Sequence, residues 1–426
     1  MMHLRPFILI FFILLTTNHC LLADGLEQYL DLEIGETYTI QNNYYDRGKG
    51  SFTRDESYNL LRVTPSLSWV PQPGLHLYGS VDFLWQSPVY EDDEALEANL
   101  TAAYLDLSGP SARLTVGGIP MQFGRGLIMA DETLAAIVEF TFDKSYLEVQ
   151  AARIQDSSPM ASIGVGYRPS RFEYVQLFGV WFSDRDDIIA DAPLFLGKDR
   201  SSSAELYWLG ASAELFVGPA LFSMVGAYQT GRFTVDVTYE SIFPPFQEYT
   251  YSIERDVSAY FFDLALETNV AQWGSVGAFC YVASGDEELG QDDFGAYTTI
   301  GAYNPRLAIF FDPNFIDSDN SEQFTFGGVT RNGVVAPGVT LTVQPVETIT
   351  LEASAAMLYA HEASANGDQR YGYEIDGSVT LKVMKKHEIF LQAARFEHGN
   401  FFESRLGSGE SFDPAFQFLI GGRLVF

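Results

Sequence analysis

Basic residues and long apolar runs are both scarce in this chain of 426 residues. Lys and Arg number 25 against 56 Asp and Glu, which gives a net charge of −31. Such an excess of negative charge repels phosphate and argues against a nucleic-acid partner. After residue 23, no uninterrupted apolar run reaches the roughly 20 residues that a membrane-spanning helix needs. Yet 47% of the residues are hydrophobic and 15% are aromatic, so the apolar content is spread over short segments.

Cysteine is nearly absent too, and its positions bear on the N-terminal segment. Residues 1–23 carry one positive charge at Arg5, then an apolar run from Phe7 to Leu15, which is the order of a secretory signal peptide. Removal of this leader would take Cys20 with it and leave residues 24–426 as the mature protein. Cys280 would then be its one cysteine, which excludes an intrachain disulfide.

The motifs of common catalytic and cofactor sites are missing from the sequence. It contains no G-x-S-x-G, no H-E-x-x-H, no phosphate-binding loop and no C-x-x-C-H. We therefore expect no enzymatic activity, no cofactor and no resident metal. Acidic runs such as Glu91–Glu94 lack the ordered ligand spacing of a calcium loop. They are expected to be solvated loops, with divalent ions bridging to lipopolysaccharide as the alternative.

The last twelve residues, 415–426, alternate with a period of two up to the end of the chain. Phe418, Ile420, Leu424 and Phe426 share one apolar face, which is typical of a β-strand. This pattern resembles the C-terminal strand of bacterial outer-membrane β-barrel proteins, in which a terminal Phe marks the chain for insertion. The resemblance implies the barrel-assembly machinery as a partner.

Alternating segments of about 10 to 13 residues recur along the rest of the chain, which is the length of a tilted strand that crosses a bilayer. Short turns are expected at residues 71–74, 109–111, 143–144, 168–170, 218–219, 271–272, 344–345 and 385–386. Longer loops are expected at 44–56, 87–96, 123–131, 155–159, 184–202, 230–254, 285–333, 362–368 and 399–413. These seventeen connections predict an all-β fold. It is a single antiparallel transmembrane barrel of about 18 strands, or 16, with short periplasmic turns and long extracellular loops.

Three short stretches are similar to segments of the alginate-export family of outer-membrane porins. They are Gln122–Ile128 (Q-F-G-R-G-L-I), Ala283–Asp286 (A-S-G-D) and Phe311–Phe315 (F-D-P-N-F). The resemblance implies an 18-stranded barrel in the outer membrane that allows passive export or uptake. A channel for polyanionic alginate would be lined by Arg and Lys, whereas this chain is acidic.

One face of each strand should meet lipid and the other the lumen. The expected lumen and selectivity residues are Asp31, Glu33, Arg62, Arg113, Asp263, Glu267, Glu352, Glu374, Asp376, Lys382 and Arg423. Their acidic excess predicts a preference for cations, unless they pair across strands and only stiffen the wall. For a basic lumen the candidates are Arg62, Arg113, Arg125, Arg153 and Arg423.

The longest loop, 285–333, contains the apolar pieces Leu307–Phe311 and Phe324–Phe326. Because exposed apolar pieces are unfavourable in water, we expect the loop to fold inward or across the mouth as a constriction or lid. The alternative is an extracellular cap with a small core of its own.

The sequence predicts a passive channel in the bacterial outer membrane for ions or for small or oligomeric hydrophilic solutes. One alternative is a barrel that sheathes a periplasmic multihaem cytochrome in an electron conduit. Another is an adhesion or receptor barrel. The expected partners are outer-membrane lipid and lipopolysaccharide, together with the assembly machinery and either a periplasmic cytochrome or polysaccharide machinery.

Overall fold

The computed structural model describes most of the chain from Glu27 onward. The described residues are 27–46, 51–88, 95–123, 128–154, 157–185, 199–240, 248–286, 293–300, 307–311, 324–326, 332–363, 367–384, 386–406 and 412–425. Outside them lie the predicted leader 1–23, the acidic run Glu91–Glu94, Arg125, Phe426 and parts of two of the three alginate-export-like stretches. No helix in the described ranges is long and apolar enough to cross a membrane.

Eighteen antiparallel strands form the wall of the described molecule. They are β1 (Glu27–Asp46), β2 (Ser51–Gln72), β3 (Leu75–Pro88), β4 (Ala95–Ser108), β5 (Ala112–Phe123), β6 (Met129–Phe142), β7 (Ser145–Ile154), β8 (Ser158–Ser170), β9 (Glu173–Asp184), β10 (Asp199–Val217), β11 (Ala220–Glu240), β12 (Glu248–Ala271), β13 (Gly274–Ala283), β17 (Val334–Val346), β18 (Ile349–Tyr359), β19 (Arg370–Met384), β20 (His387–His398) and β21 (Ala415–Val425). Three short strands lie between β13 and β17: β14 (Asp293–Phe294), β15 (Thr298–Ile300) and β16 (Phe324–Phe326). One helix, α1 (Asn400–Leu406), follows β20.

The wall closes on itself between the first and last strands. Strand β1 pairs with β2 on one side and with β21 on the other, where Ile34 lies opposite Leu424 and Ile40 opposite Phe418. Since every edge strand of a sheet leaves unpaired N–H and C=O groups, closure removes an edge that lipid could not solvate. The closed barrel confirms the predicted fold class.

The short turns fall within a few residues of the predicted ones. Tight connections join β2 to β3, β4 to β5, β6 to β7, β8 to β9, β10 to β11, β12 to β13, β17 to β18 and β19 to β20. Three of these turns use residues with positive φ: Gly74 at 82°, Asp143 at 57° and Gly218 at 63°. Glycine and aspartate tolerate that conformation better than most residues, which is why the chain can reverse there in so few residues.

The predicted loop 230–254 is wrong in most of its length. Strand β11 continues to Glu240 and β12 begins at Glu248, and the two remain paired up to Glu240 opposite Glu248. The reason is the inward face of this hairpin, where Phe233, Val235 and Val237 are buried. Their burial favours continued strand structure beyond the length that a bilayer requires. Likewise the predicted loop 399–413 contains α1, whose Phe401 and Phe402 are buried.

The two faces of the wall differ as the alternation predicts. On β10, Leu206 is 1% exposed while Leu209, on the opposite face, is 63% exposed. Exposed apolar side chains of the same kind occur on most strands, for example Ile163, Leu341 and Ile375. The opposite face is polar near the short turns and apolar toward the long connections. In the terminal strand, Phe418, Ile420 and Leu424 all lie on the exposed apolar face.

Candidate functional site on the inner face of the barrel

The long connection between β13 and β17 packs against the inner face of the wall. Its described residues 293–300 and 307–311, here called the inner arm, are mostly buried. Strand β14 pairs with β12, where Asp293 lies opposite Asp256, and β15 pairs with β6 through Ile300 and Met129. Since β6 and β12 are not neighbours in the wall, a chain that pairs with both spans the ring at the end where the long connections lie.

Aromatic contacts fix residues 293–300 of the inner arm to β11 and β12. Phe294 packs edge-on against Phe233 of β11, with ring centroids 5.3 Å apart. Tyr297 lies 4.5 Å from the ring of Phe261 on β12. Complete burial raises the pKa of Tyr297 well above its ordinary value, so its hydroxyl stays neutral. The apolar inner face near the long connections is therefore a core formed with the arm.

A second aromatic cluster surrounds the other half of the arm. Phe310 lies 5.1 Å from Tyr371 on β19 and 5.8 Å from Phe396 on β20. Tyr371 in turn packs against Phe401 of α1 at 4.5 Å. The apolar stretch Leu307–Phe311 is thus enclosed by side chains of the wall and of α1, as its composition requires.

Glu374 on β19 holds the arm by its backbone. The N–H of Ile309 donates to Oε1 of Glu374 at 2.7 Å, and the N–H of Phe310 donates to Oε2 at 2.8 Å. Glu374 is 0% exposed. Buried N–H groups outside regular structure need acceptors, and one carboxylate supplies two. The predicted lumen residue Glu374 is therefore a latch for the inner arm.

Gln229 on β11 makes the corresponding contact with the other half of the arm. The N–H of Thr298 donates to Oε1 of Gln229 at 3.1 Å, and Nε2 of Gln229 donates to Oγ1 of Thr298 at 2.5 Å. Both residues are buried. The sequence prediction missed Gln229, although the alternation of β11 places it on the same face as the buried Val225 and Ala227.

Four inner-face arginines are paired with carboxylates of other strands, three of them on the adjacent strand and one across β7. Arg62 pairs with Asp82, Arg113 with Asp106, Arg168 with Glu139, and Arg423 with Glu33. Arg168 reaches both oxygens of Glu139, at 3.1 and 2.9 Å, and its guanidinium lies 3.9 Å from the centre of the Tyr146 ring. Each pair joins two or more strands of the wall. Arg62, Arg113, Arg423 and Glu33 therefore pair across strands, as in the alternative in which the lumen charges stiffen the wall.

The remaining predicted lumen residues form two groups, with Asp263 apart from both. Asp31 lies at the short-turn rim, 3.6 Å from Lys386, and Lys382 is exposed near the same rim. Glu267, Glu352 and Asp376 line one cavity of about 330 Å³ on the wall formed by β12 to β20. Asp263, four residues before Glu267 on the inner face of β12, is fully buried.

Arg153 does not fit the inner face. It lies on the exposed face of β7, as Val149 does. The alternate residues Ala152 and Ile154 are buried on the other face. The alternation of Tyr146, Glu148 and Gln150 would have shown this from the sequence. Within the described ranges, no group of three or more His, Cys, Asp or Glu could hold a metal ion.

Comparison with known proteins finds likeness in structure and none in sequence. No family model and no curated protein match the chain. The crystal structures of OccK11 (OpdR) and OccK5 (OpdH) of Pseudomonas aeruginosa each superpose with a TM-score of 0.55, at 9% and 10% identity. They cover 94% of this chain and 96% and 98% of their own chains. The outer membrane protein opdK of the same organism gives a TM-score of 0.54 at 10% identity, covering 94% of this chain and 99% of its own.

The protein is an outer-membrane β-barrel. Three observations agree on this: the closed wall of eighteen described strands, the exposed apolar outer face and the structural likeness. The protein is located in the bacterial outer membrane. At 9 to 10% identity the likeness concerns the fold of the outer-membrane barrel. The resemblance to the alginate-export family stays a prediction.

Proposed function

We propose that this outer-membrane barrel is a passive, cation-preferring channel for ions and small hydrophilic solutes, narrowed by its inner arm. The observation that carries the proposal is the attachment of the arm to separate parts of the wall, by Gln229 on β11 and by Glu374 on β19. A barrel of sixteen to eighteen strands is too wide for side chains to fill, so it conducts unless something enters it. An arm held in this way narrows the lumen and gives it selectivity.

The balance of charge on the inner face supports the preference for cations. Four inner-face arginines, Arg62, Arg113, Arg168 and Arg423, each lie against a carboxylate, so their charges are offset locally. The cavity formed by β12 to β20 contains Glu267, Glu352 and Asp376 with no lysine or arginine among its lining residues. A surplus of carboxylates in a lumen with low-dielectric walls raises the local concentration of cations.

The same balance opposes a polyanionic permeant. From the resemblance to the alginate-export family we therefore propose the barrel architecture and passive transport. We do not propose alginate as the transported solute. The predicted leader 1–23 and the apolar face of β21 would be the signals for the secretion and barrel-assembly machinery, which we propose as partners. The inner arm also occupies space that a sheathed cytochrome would need, which favours a channel over an electron conduit.

The experiment is single-channel recording of the purified protein in planar bilayers under a KCl gradient. We expect stepwise conductance and a reversal potential of the sign that K⁺ selectivity gives. A silent barrel would overturn the channel, and an anion-selective reversal potential would overturn the charge argument alone.

A further inference from the structure

Two acidic side chains of β19 meet on the inner face of the wall. Glu374 and Asp376 lie two residues apart on the strand, so its alternation places both on the same face. Their carboxyl groups are hydrogen-bonded to each other. Glu374 is 0% exposed and Asp376 is 8% exposed, so bulk water does not screen one group from the other. We call these two residues the carboxyl pair.

The carboxyl pair holds the second half of the inner arm. The N–H groups of residues 309–310 donate to the two oxygens of Glu374. The N–H of Ala308 donates to Asp376. Three consecutive N–H groups of the arm therefore end on the pair. Any change in the position or charge of the two carboxyl groups changes how the arm is held.

The neighbouring strands and the arm present neutral side chains to the pair. On β18 its register partners are Ala356 and Ser354, and Oγ of Ser354 donates to Asp376 at 3.0 Å. On β20 the partners are Phe396 and Ala394. The arm residues 307–311 are apolar and carry no ionisable group. The described side chains in these positions therefore do not offset the charge of the pair.

The ionisable groups farther from the pair are acidic or are directed elsewhere. A cavity of about 330 Å³ adjoins Asp376 and brings Glu267 from β12 and Glu352 from β18 to its lining, with no lysine, arginine or histidine among the lining residues. Tyr371, on the same strand, donates its hydroxyl to the carbonyl oxygen of Gly333 at 2.9 Å. Two more carboxylates nearby make a second negative charge on the pair less favourable.

A hydrogen bond between two carboxyl groups requires a proton, because two carboxylates offer only acceptors. Repulsion between adjacent like charges in a buried site also favours one shared proton over two ionised groups. Since both oxygens of Glu374 accept N–H groups of the arm, an ionised Glu374 serves them best. The proton therefore lies on Asp376 and is directed at Glu374.

We propose that the carboxyl pair is a proton-dependent latch, which holds the inner arm while the two groups share a proton and frees the arm when the proton is lost. As the pH rises, the proton passes to solvent through the adjoining cavity, and the pair changes from one negative charge to two. Repulsion then separates the two carboxylates and moves their oxygens away from the N–H groups of residues 308–310. The readout as current rests on the proposed function, in which the arm narrows the channel.

The first test is the single-channel conductance of the full-length protein in planar bilayers, at constant KCl, from about pH 5 to about pH 10. We expect the wild-type conductance to rise through one transition as the pH increases. Asp376→Asn should lose the transition and keep the low-pH conductance throughout, because its amide donates to Glu374 and does not ionise. Glu388→Gln is the matched control and should keep the transition. It removes an inner-face carboxylate near the short-turn rim, where Glu388 lies opposite Lys382 and Arg423.

A second variant moves the transition instead of removing it. Ser354→Ala removes a hydrogen bond that favours the charged form of Asp376. The pair should then keep its proton to a higher pH, with the conductance transition shifted upward by about one pH unit. This variant also decides the proposal where Asp376→Asn fails to fold, as judged by its gel mobility before and after heating. An unchanged or downward transition in Ser354→Ala would overturn the latch.

Infrared spectroscopy tests the shared proton without any current. At about pH 6 ordinary Asp and Glu side chains are ionised. The difference between wild type and Asp376→Asn in detergent micelles should therefore show the carbonyl band of one protonated carboxyl group, and this band should vanish at the alkaline end of the range. An absent band overturns the latch, whether or not the barrel conducts.

The remaining outcomes separate the latch from the channel. A conductance that does not depend on pH, or a transition that persists in Asp376→Asn, overturns the latch and leaves the channel. A silent barrel overturns the channel, and limited digestion with chymotrypsin, which cuts after aromatic residues, then decides the latch. At the same alkaline pH, more cutting at Phe310 and Phe311 in the wild type than in Asp376→Asn supports it, and equal cutting overturns it.

Discussion

Arg423 in the last strand and Glu33 in the first are joined by a two-point ion pair across the seam of the barrel. Nε of Arg423 lies 2.7 Å from Oε1 of Glu33, and its Nη2 donates to Oε2 at 2.7 Å. The residues are not direct register partners, since Glu33 lies opposite Val425 and Arg423 opposite Gly35. The pair therefore links β1 and β21 diagonally, in addition to the ladder of backbone hydrogen bonds.

Arg423→Ala should weaken the closed barrel slightly. Both side chains are partly exposed, at 52% and 33%, so we expect the free energy of unfolding to fall by about 0.5 to 1 kcal/mol. Urea titration in detergent micelles measures it. Arg395→Ala is the control, because Arg395 pairs with Glu397 of its own strand. Equal loss in the two variants would show that the seam pair adds nothing specific to closure.

Glu374→Gln should loosen the inner arm and raise the single-channel conductance. An amide offers one acceptor oxygen where the carboxylate offers two, and its NH₂ group faces an N–H of Ile309 or Phe310. We expect larger mean current and more fluctuation within open bursts. Glu388→Gln again serves as the control, since it removes an inner-face carboxylate that does not touch the arm. Unchanged conductance in Glu374→Gln would show that the arm does not limit the current.

Neutralising either member of an arginine–carboxylate pair should shift the charge selectivity of the channel in a defined direction. Arg113→Gln leaves the carboxylate of Asp106 without its guanidinium, so the reversal potential in a KCl gradient should move further toward K⁺. Asp106→Asn leaves the guanidinium instead, and the shift should be opposite. Shifts of the same sign in both variants would contradict the view that these charges face the conduction path.

Gly231→Ala should impair folding far more than Gly218→Ala. Both glycines have positive φ, 140° and 63°. A Cβ on Gly231 would overlap the carbonyl oxygen of Glu205 in β10, whereas nothing lies within 4 Å of the position on Gly218. We expect a loss of about 1 kcal/mol at Gly218 from backbone strain, and more than about 3 kcal/mol at Gly231, where strain and overlap add. The folded fraction by gel mobility measures both, and equal effects would contradict the strain argument.

The wall was readable from the sequence because each strand must alternate to face lipid and lumen. Residues 371–383 and 415–425 show this pattern, and their outward apolar side chains Ile375 and Ile420 are exposed as the alternation requires. Short turns were predictable for a related reason, since Gly and Asp permit the positive φ of Gly74 and Asp143.

The contacts that the inner-face side chains make were harder to predict from the sequence. Alternation places Glu374 and Arg423 on the inner face, but it does not say which meets the inner arm and which meets another strand. Those partners depend on register and on the path of the connection after β13, which local pattern does not encode. The same limit hid Asp82, Asp106 and Glu139, which the register brings opposite or diagonal to arginines. The long β11–β12 hairpin was missed because its polar outer residues look like loop sequence.

The inner arm has a mechanical consequence for the barrel. It pairs with β6 through Ile300 and is held by β19 through Glu374, strands that lie nearly opposite one another in the ring. A wide cylinder that is held only by its wall can flatten, since bending it changes each hydrogen bond only slightly. A chain tied to opposite sides is a brace, because any flattening stretches or compresses its attachments. The residues that attach the arm to the wall, Ile300 and those held by Glu374, therefore also help to keep the cross-section round.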